Sequence, residues 1–168
     1  MTAVATDLPG FTIRHAEATD VPLILSYVRK LADYEQLAHE VEATEDTLRA
    51  MMFGPRPYAE VIFGEQDGRA VGFALFFHSF STFVGKPGIY LEDLFVDPQA
   101  RGAGYGKMLM AYLARLAVER GCGRFEWSVL NWNEPSIEFY RRLGARPLDA
   151  WTVYRLAGAP LERLAQQD

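Results

Sequence analysis

Two short stretches carry residue types that could do chemistry. The first, "LFVDPQARGAGYGK" from Leu94 to Lys107, sets Arg101 and three alternating glycines, Gly102, Gly104 and Gly106, just ahead of an apolar periodic run. Glycine inside ordered backbone costs roughly 0.5–1 kcal/mol relative to alanine, so three of them need a reason. One reason is a tight strand-to-helix turn. The other is close approach of an anion. The first amides of a helix have no helical carbonyl to bond, glycine does not shield them, and the helix dipole turns its positive end there. Each exposed charge–dipole contact is worth roughly 0.3–1 kcal/mol, so several amides plus Arg101 could hold a pyrophosphate. Two other phosphate patterns fail. A Walker loop needs glycine where Arg101 stands and Ser or Thr where Met108 stands, and the dinucleotide fingerprint needs glycine where Lys107 stands. What remains is R-x-x-G-x-G, between a strand and a helix.

The second stretch is "LNWNEPSIEFYRRLGA", Leu130 to Ala145. Asn133 suits an N-cap, Pro135 the first turn and Gly144 the C-terminal end. Helical spacing then sets Asn133, Ser136 and Tyr140 along one face, while Ile137, Phe139 and Leu143 serve packing. A lone tyrosine is more often a packed one whose hydroxyl is satisfied at the core's edge, and from spacing alone that reading of Tyr140 is the favoured one.

The elements that must position these residues follow from periodicity. "FTIRHA" reads as a strand; "TDVPLILSYVRKLADYE" as a helix opened by Thr19-Asp20 and Pro22; "TEDTLRAMMF" as a short helix. "YAEVIFGE" and "RAVGFALFFHSF" form a hairpin about Gln66-Asp67-Gly68, and "GIYLEDLFVD" is a further strand. After the glycine loop a long helix runs to Gly121, followed by strand "RFEWSVL", helix "NEPSIEFYRRLG" and a last strand "WTVYRL". The order β-α-α-β-β-β-α-β-α-β predicts one α/β (α+β) domain over residues 1–168, built on a mixed sheet.

Composition narrows the function classes. Of 168 residues, 49% are apolar and 23% charged, as in a soluble globular protein. A net charge of -5 and the lack of a basic stripe argue against nucleic acid and suit a cationic ligand. Cys122 is the only cysteine, which excludes an internal disulfide and suits a reducing compartment. The N-terminal stretch is no signal peptide and no apolar run approaches the ~20 residues of a membrane span, so a cytoplasmic protein is expected. His15, His39 and His78 fall on different elements without metal-ligand spacing, so no metal is expected.

Taken together, "YLEDLFVDPQARGAGYGKMLM" and "NEPSIEFYRRLGA", at their separation, and "KLADYEQL" upstream resemble the GNAT superfamily of N-acetyltransferases. The likeness is to the spermidine/spermine (diamine) and thialysine N-acetyltransferase branch. The resemblance implies a mostly antiparallel sheet flanked by helices with a splayed acyl-CoA cleft, acetyl-CoA as cosubstrate, and a homodimer. On it, Leu94, Phe95 and Val96 pair with the pantetheine arm, and Arg101, Gly102, Ala103, Gly104, Tyr105, Gly106 and Lys107 wrap the pyrophosphate. Asn133, Glu134, Pro135 and Ser136 line the cofactor's other side, and Tyr140 is the general acid beside the thioester sulfur. Tyr34, Glu35, Glu92, Glu126, Trp127 and Ser128 surround the acceptor, a small cationic amine.

Such a reaction needs a proton acceptor, because an alkylammonium near pKa ~10.4 is only about one part in a thousand neutral at pH 7. Glu92 is the candidate, directly or through water. Its neighbour Asp93 points to the opposite face of a regular strand, so at most one of the two meets the reaction. The segment "ARPLDAW" after Gly144 carries only Asp149, where polyamine enzymes place more acids, which leaves diamines and thialysine-like acceptors as equal contenders. The alternative is a non-catalytic acyl-CoA sensor with the same fold.

Overall fold

Asp67 (φ 51°) and Gly68 (φ 77°) both hold left-handed backbone, the twist that closes a two-residue hairpin. They join β3 (Glu60–Gln66) to β4 (Arg69–Ser81). The computed structural model describes residues 3–167. Among these the sheet runs in chain order: β1 (Val4–Ala5), β2 (Phe11–His15), β3, β4, β5 (Lys86–Val96) and β6 (Phe125–Trp127). Every neighbouring pair is antiparallel except β5 and β6, which are parallel. The expected mixed, mostly antiparallel sheet flanked by helices is therefore present.

The chain forms two compact units, Met1–Ser128 and Val129–Asp168. The first holds the sheet with α1 (Val21–Tyr34), α2 (Glu45–Phe53) and α3 (Tyr105–Glu119). α1 starts where the sequence predicts, with Asp20 before it and Pro22 in its first turn. The Arg14 guanidinium donates to both Asp20 oxygens (2.7 and 2.9 Å) and to Glu65 (2.7 Å), tying this start to β2 and β3. Ile24 and Tyr27 of α1 pack on Val61, Phe63, Phe73 and Phe95. Each such burial is worth roughly 1.5–3 kcal/mol. α3 covers the opposite face: Leu109 and Leu113 are buried, and a Cβ on Gly64, next to Phe63, would sit 3.5 Å from Leu109.

At its far end α3 is held by a polar group that the sequence reading did not foresee. Arg120 donates to Glu60 (2.8 Å), the His15 ring stands 3.0 Å from the Tyr112 hydroxyl, and His78 lies 3.4 Å from Arg120. Burial, the largest influence, pulls the His15 imidazole below its usual range.

The second unit holds α4 (Glu134–Arg142) and α5 (Gly158–Ala165). The last strand expected at Trp151–Leu156 does not form. The alternating side chains are there, but strand backbone needs a neighbour to take its N–H and C=O groups, and this segment is in no ladder. β1 and α5, both short, carry too little pattern to be read in advance. Among the described residues no helix is long and apolar enough to cross a membrane.

Candidate active site

β5 pairs with β4 along its whole length, Lys86 to Val96, but with β6 only at Ile89–Leu91. From Glu92 onward, among the described residues, its outer edge has no strand beside it. The Phe95 carbonyl is turned toward Gly72 of β4. By alternation, the main-chain groups of Leu94 and Val96 point to the open side. This is the splayed edge that the resemblance implies.

A bulge starts the opening. Leu75 pairs with Asp93 and Phe76 with Leu91, so Glu92 is one residue too many. Opposite directions for Glu92 and Asp93 were expected from regular alternation, and an extra residue interrupts that alternation here. Asp93 lies across from Leu75 and two residues before Phe95, on the α1 face of the sheet. Glu92 is exposed and Asp93 is half-buried. Burial pushes the Asp93 carboxyl up to about 7, with the charges of Glu92 and Glu35 adding to it. Glu35, at the end of α1, is also raised by burial. The sequence reading weighed Asp93 only as the neighbour of Glu92, and its sole signal of a special environment was the adjacent pair of acids in an otherwise apolar strand.

Arg101 stands at the far end of the open edge. Its Nε donates to the Val96 carbonyl (3.0 Å), and its guanidinium carbon lies 4.8 Å from the Tyr34 ring centre and 5.3 Å from that of Phe95. The turn's own hydrogen bonds stop at Arg101, whose N–H reaches Pro98 O, and those of α3 begin with Met108 to Gly104. The amides of Gly102 to Lys107 lie between.

Gly102 (φ 86°) and Gly104 (φ 91°) hold left-handed backbone, so the turn itself demands them. Gly106 is different. It sits in the first turn of α3 with no positive φ, so its backbone conformation does not call for glycine. Tyr105 turns its side chain inward, stacked on Phe11 at 4.3 Å with its hydroxyl donating to Gln66 (2.8 Å), so only its amide is available to a ligand. Ala103 and Lys107 are exposed.

On β6, Glu126 and Trp127 lie across from Tyr90 and Leu91. Glu126 is paired with Arg124 at 2.8 Å, and the Ser128 and Tyr90 hydroxyls are 2.7 Å apart. Tyr34, Glu35, Glu92 and Arg101 thus gather along the open edge of β5 with Asp93 added, and Glu126 already has a cation.

The second unit's residues are set by α4. Asn133 caps it, accepting from the Ser136 amide at 3.4 Å, with Glu134 and Pro135 in the first turn. Ser136 and Tyr140 follow one helical turn apart, and the Tyr140 ring lies 5.3 Å from Phe139.

The acetyltransferase (GNAT) family matches residues 27–145, from α1 to just past α4. A thialysine N-epsilon-acetyltransferase of Sus scrofa is 38% identical over 91% of this chain and 96% of its own. An L-ornithine N5-acetyltransferase of Arabidopsis thaliana is 31% identical over 90% of this chain and 86% of its own. Among solved structures, an integron cassette protein from the mobile metagenome of V. cholerae superposes with a TM-score of 0.79 at 26% identity, covering 94% of this chain and 99% of that one. The chain belongs to the GNAT family and is an N-acetyltransferase.

Proposed function

We propose that the protein moves the acetyl group of acetyl-CoA to the primary amine of a small cationic acceptor, a diamine, polyamine or thialysine/lysine-like molecule, by direct attack. The observation that carries this reading is the open edge of β5 running into the glycine turn. An extended pantetheine arm finds main-chain groups at Leu94 and Val96 that no neighbouring strand pairs, and its pyrophosphate finds the amides of Gly102–Lys107 one turn later. Arg101, exposed beside them, exchanges the Val96 carbonyl for phosphate. Asn133, Glu134, Pro135 and Ser136 serve the cofactor as well.

The acceptor arrives as a cation. The unpaired acids Glu35 and Glu92 attract it, and the aromatic faces of Tyr34 and Trp127 suit an ammonium. Glu126, held by Arg124, contributes less charge than its sequence position suggested. Thialysine and ornithine, the substrates in the relatives' names, are amines of this kind.

Freeing the amine at pH 7 costs roughly 4–5 kcal/mol, so its proton must be taken. Glu92, exposed at the bulge, meets the ammonium directly or through one water. Tyr140 then gives a proton to the departing thiolate. Against a free thiol near ~8.5 a phenol near ~10 is a poor donor, but an apolar cleft makes sulfur more basic and narrows the gap. The lone Cys122 suits a reducing cytoplasm, and the family resemblance supports a homodimer.

Thiol release from acetyl-CoA over a panel of amines tests this reading. Primary amines carrying one or more positive charges should turn over, and neutral acceptors should not. A protein that binds acetyl-CoA yet acetylates no cationic amine would overturn it.

A further inference from the structure

We propose that the proton given up by the acceptor amine comes to rest on Asp93, with the exposed Glu92 as the carboxylate that meets the ammonium first. This rests on the amine transfer proposed above and assigns a step within it.

The geometry begins with the bulge. The extra residue at Glu92 breaks the alternation between Leu91 and Asp93, so Leu91 pairs with Phe76 while Asp93, two residues from Phe95, shares the α1 face with it. There Leu75 and Phe95 flank Asp93, and Tyr34 packs on Phe95 at 6.4 Å. It therefore sits at the start of the open edge, behind Glu92, and not in the α3 core.

The groups around it are consistent in sign. Glu92 adjoins it on β5 and Glu35 faces it from α1, both adding negative charge. Tyr34 is the titratable neighbour along α1, and β4 offers only the apolar Phe73, Leu75 and Phe77 on this face. The nearby cations are engaged elsewhere: Arg101 with the Val96 carbonyl, Lys30 with Asp97 at 2.8 Å, Arg124 with Glu126. Among the described residues no side chain bonds or pairs with the carboxylates of Glu35, Glu92 or Asp93. A half-buried carboxylate with two acids beside it and no cation lacks the usual structural reason to be there.

Chemistry supplies one. An ordinary carboxylate near ~3.9 lies more than six powers of ten below an amine near ~10.4, and is a weak acceptor. At about 7, Asp93 is within three to four powers of ten of it while still substantially ionised at neutral pH. The ammonium N–H bond breaks as the Asp93 carboxylate takes its proton, leaving a neutral amine. The nitrogen lone pair forms the C–N bond, and the C–S bond breaks. The nitrogen's second proton balances the one that the thiolate receives. Asp93 then loses its proton to water, so one proton leaves per turnover.

The test is the pH profile of kcat/KM with a diamine, joined to a carbon-13 titration of the Asp93 carboxyl in the free protein. The wild type should show an acidic limb near pH 7 and a carboxyl titrating there. Asp93→Asn should lose the limb and lower kcat by roughly 10²–10⁴-fold. Glu92→Gln and Glu35→Gln should keep a limb but move it, and the carboxyl titration, to lower pH. The isosteric Asn variant keeps the fold, which a thermal melt checks. A limb that survives in Asp93→Asn but vanishes in Glu92→Gln overturns the assignment, as does an Asp93 carboxyl titrating below about 5. Full-rate acetylation by Asp93→Asn sinks this step alone, whereas a wild type inert toward every amine sinks the amine reading with it.

Discussion

Tyr140→Phe removes one oxygen and leaves the ring beside Phe139. If that oxygen carries the proton to sulfur, kcat should fall roughly 10²–10⁴-fold while acetyl-CoA affinity stays nearly constant, as single-turnover rates and calorimetry would read. An unchanged rate with chemistry limiting would remove Tyr140 from the mechanism. At this scale the sequence is most legible where the local backbone fixes direction. The spacing of Asn133, Ser136 and Tyr140 puts them on one side of α4 whatever surrounds the helix. Glu92 and Asp93 are the opposite case. Their directions depend on a register slip against β4, and nothing in "YLEDLFV" tells a regular strand from one with an extra residue. The charge left on Glu126 was likewise hidden, since Arg124 reaches it only once β6 has formed.

Among the elements, the mouth of α3 offers the cleanest separation of folding from binding. Gly104→Val is a poor test, because the left-handed backbone there penalises any branched side chain before a ligand arrives. Gly106→Ala has no such problem. In a helical turn alanine is favoured over glycine by up to ~1 kcal/mol, so the variant should melt no lower than the wild type. Its methyl group should nonetheless weaken acetyl-CoA binding severalfold or more, and leave binding of a pantetheine analogue without pyrophosphate unchanged. Equal effects on both ligands would show that the amides do not hold phosphate. The hairpin at Asp67-Gly68 and the helix of Glu134–Arg142 could be read in advance because their turn and cap chemistry is local. The segment Trp151–Leu156 could not, because alternation specifies a face and not a partner.

For the whole molecule, Asp93 and His15 pull stability in opposite directions with pH. Asp93 keeps its proton to a higher pH folded than unfolded. Its contribution is thus fully present below about pH 4 and lost as pH rises to about 7. At 1.36 kcal/mol per pKa unit the loss is up to about 4 kcal/mol. Asp93→Asn should therefore raise Tm by several degrees at pH 8 and leave it almost unchanged near pH 4; equal shifts at both would refute a raised Asp93. His15, lowered by burial, is held neutral, and the folded state loses ground as pH falls below ~6.5. The open edge of β5 has a further consequence for the protein at high concentration. An unpaired strand is a template on which another molecule can zip, and Glu92 to Val96 present such a length. The exposed carboxylate of Glu92 at one end and the Arg101 guanidinium on the Val96 carbonyl at the other discourage that pairing in the free chain. In the binding mode proposed above, acetyl-CoA would cover this edge and act on the fold as a solubiliser, so the protein stripped of it should aggregate at lower concentration than the loaded form, as light scattering would read.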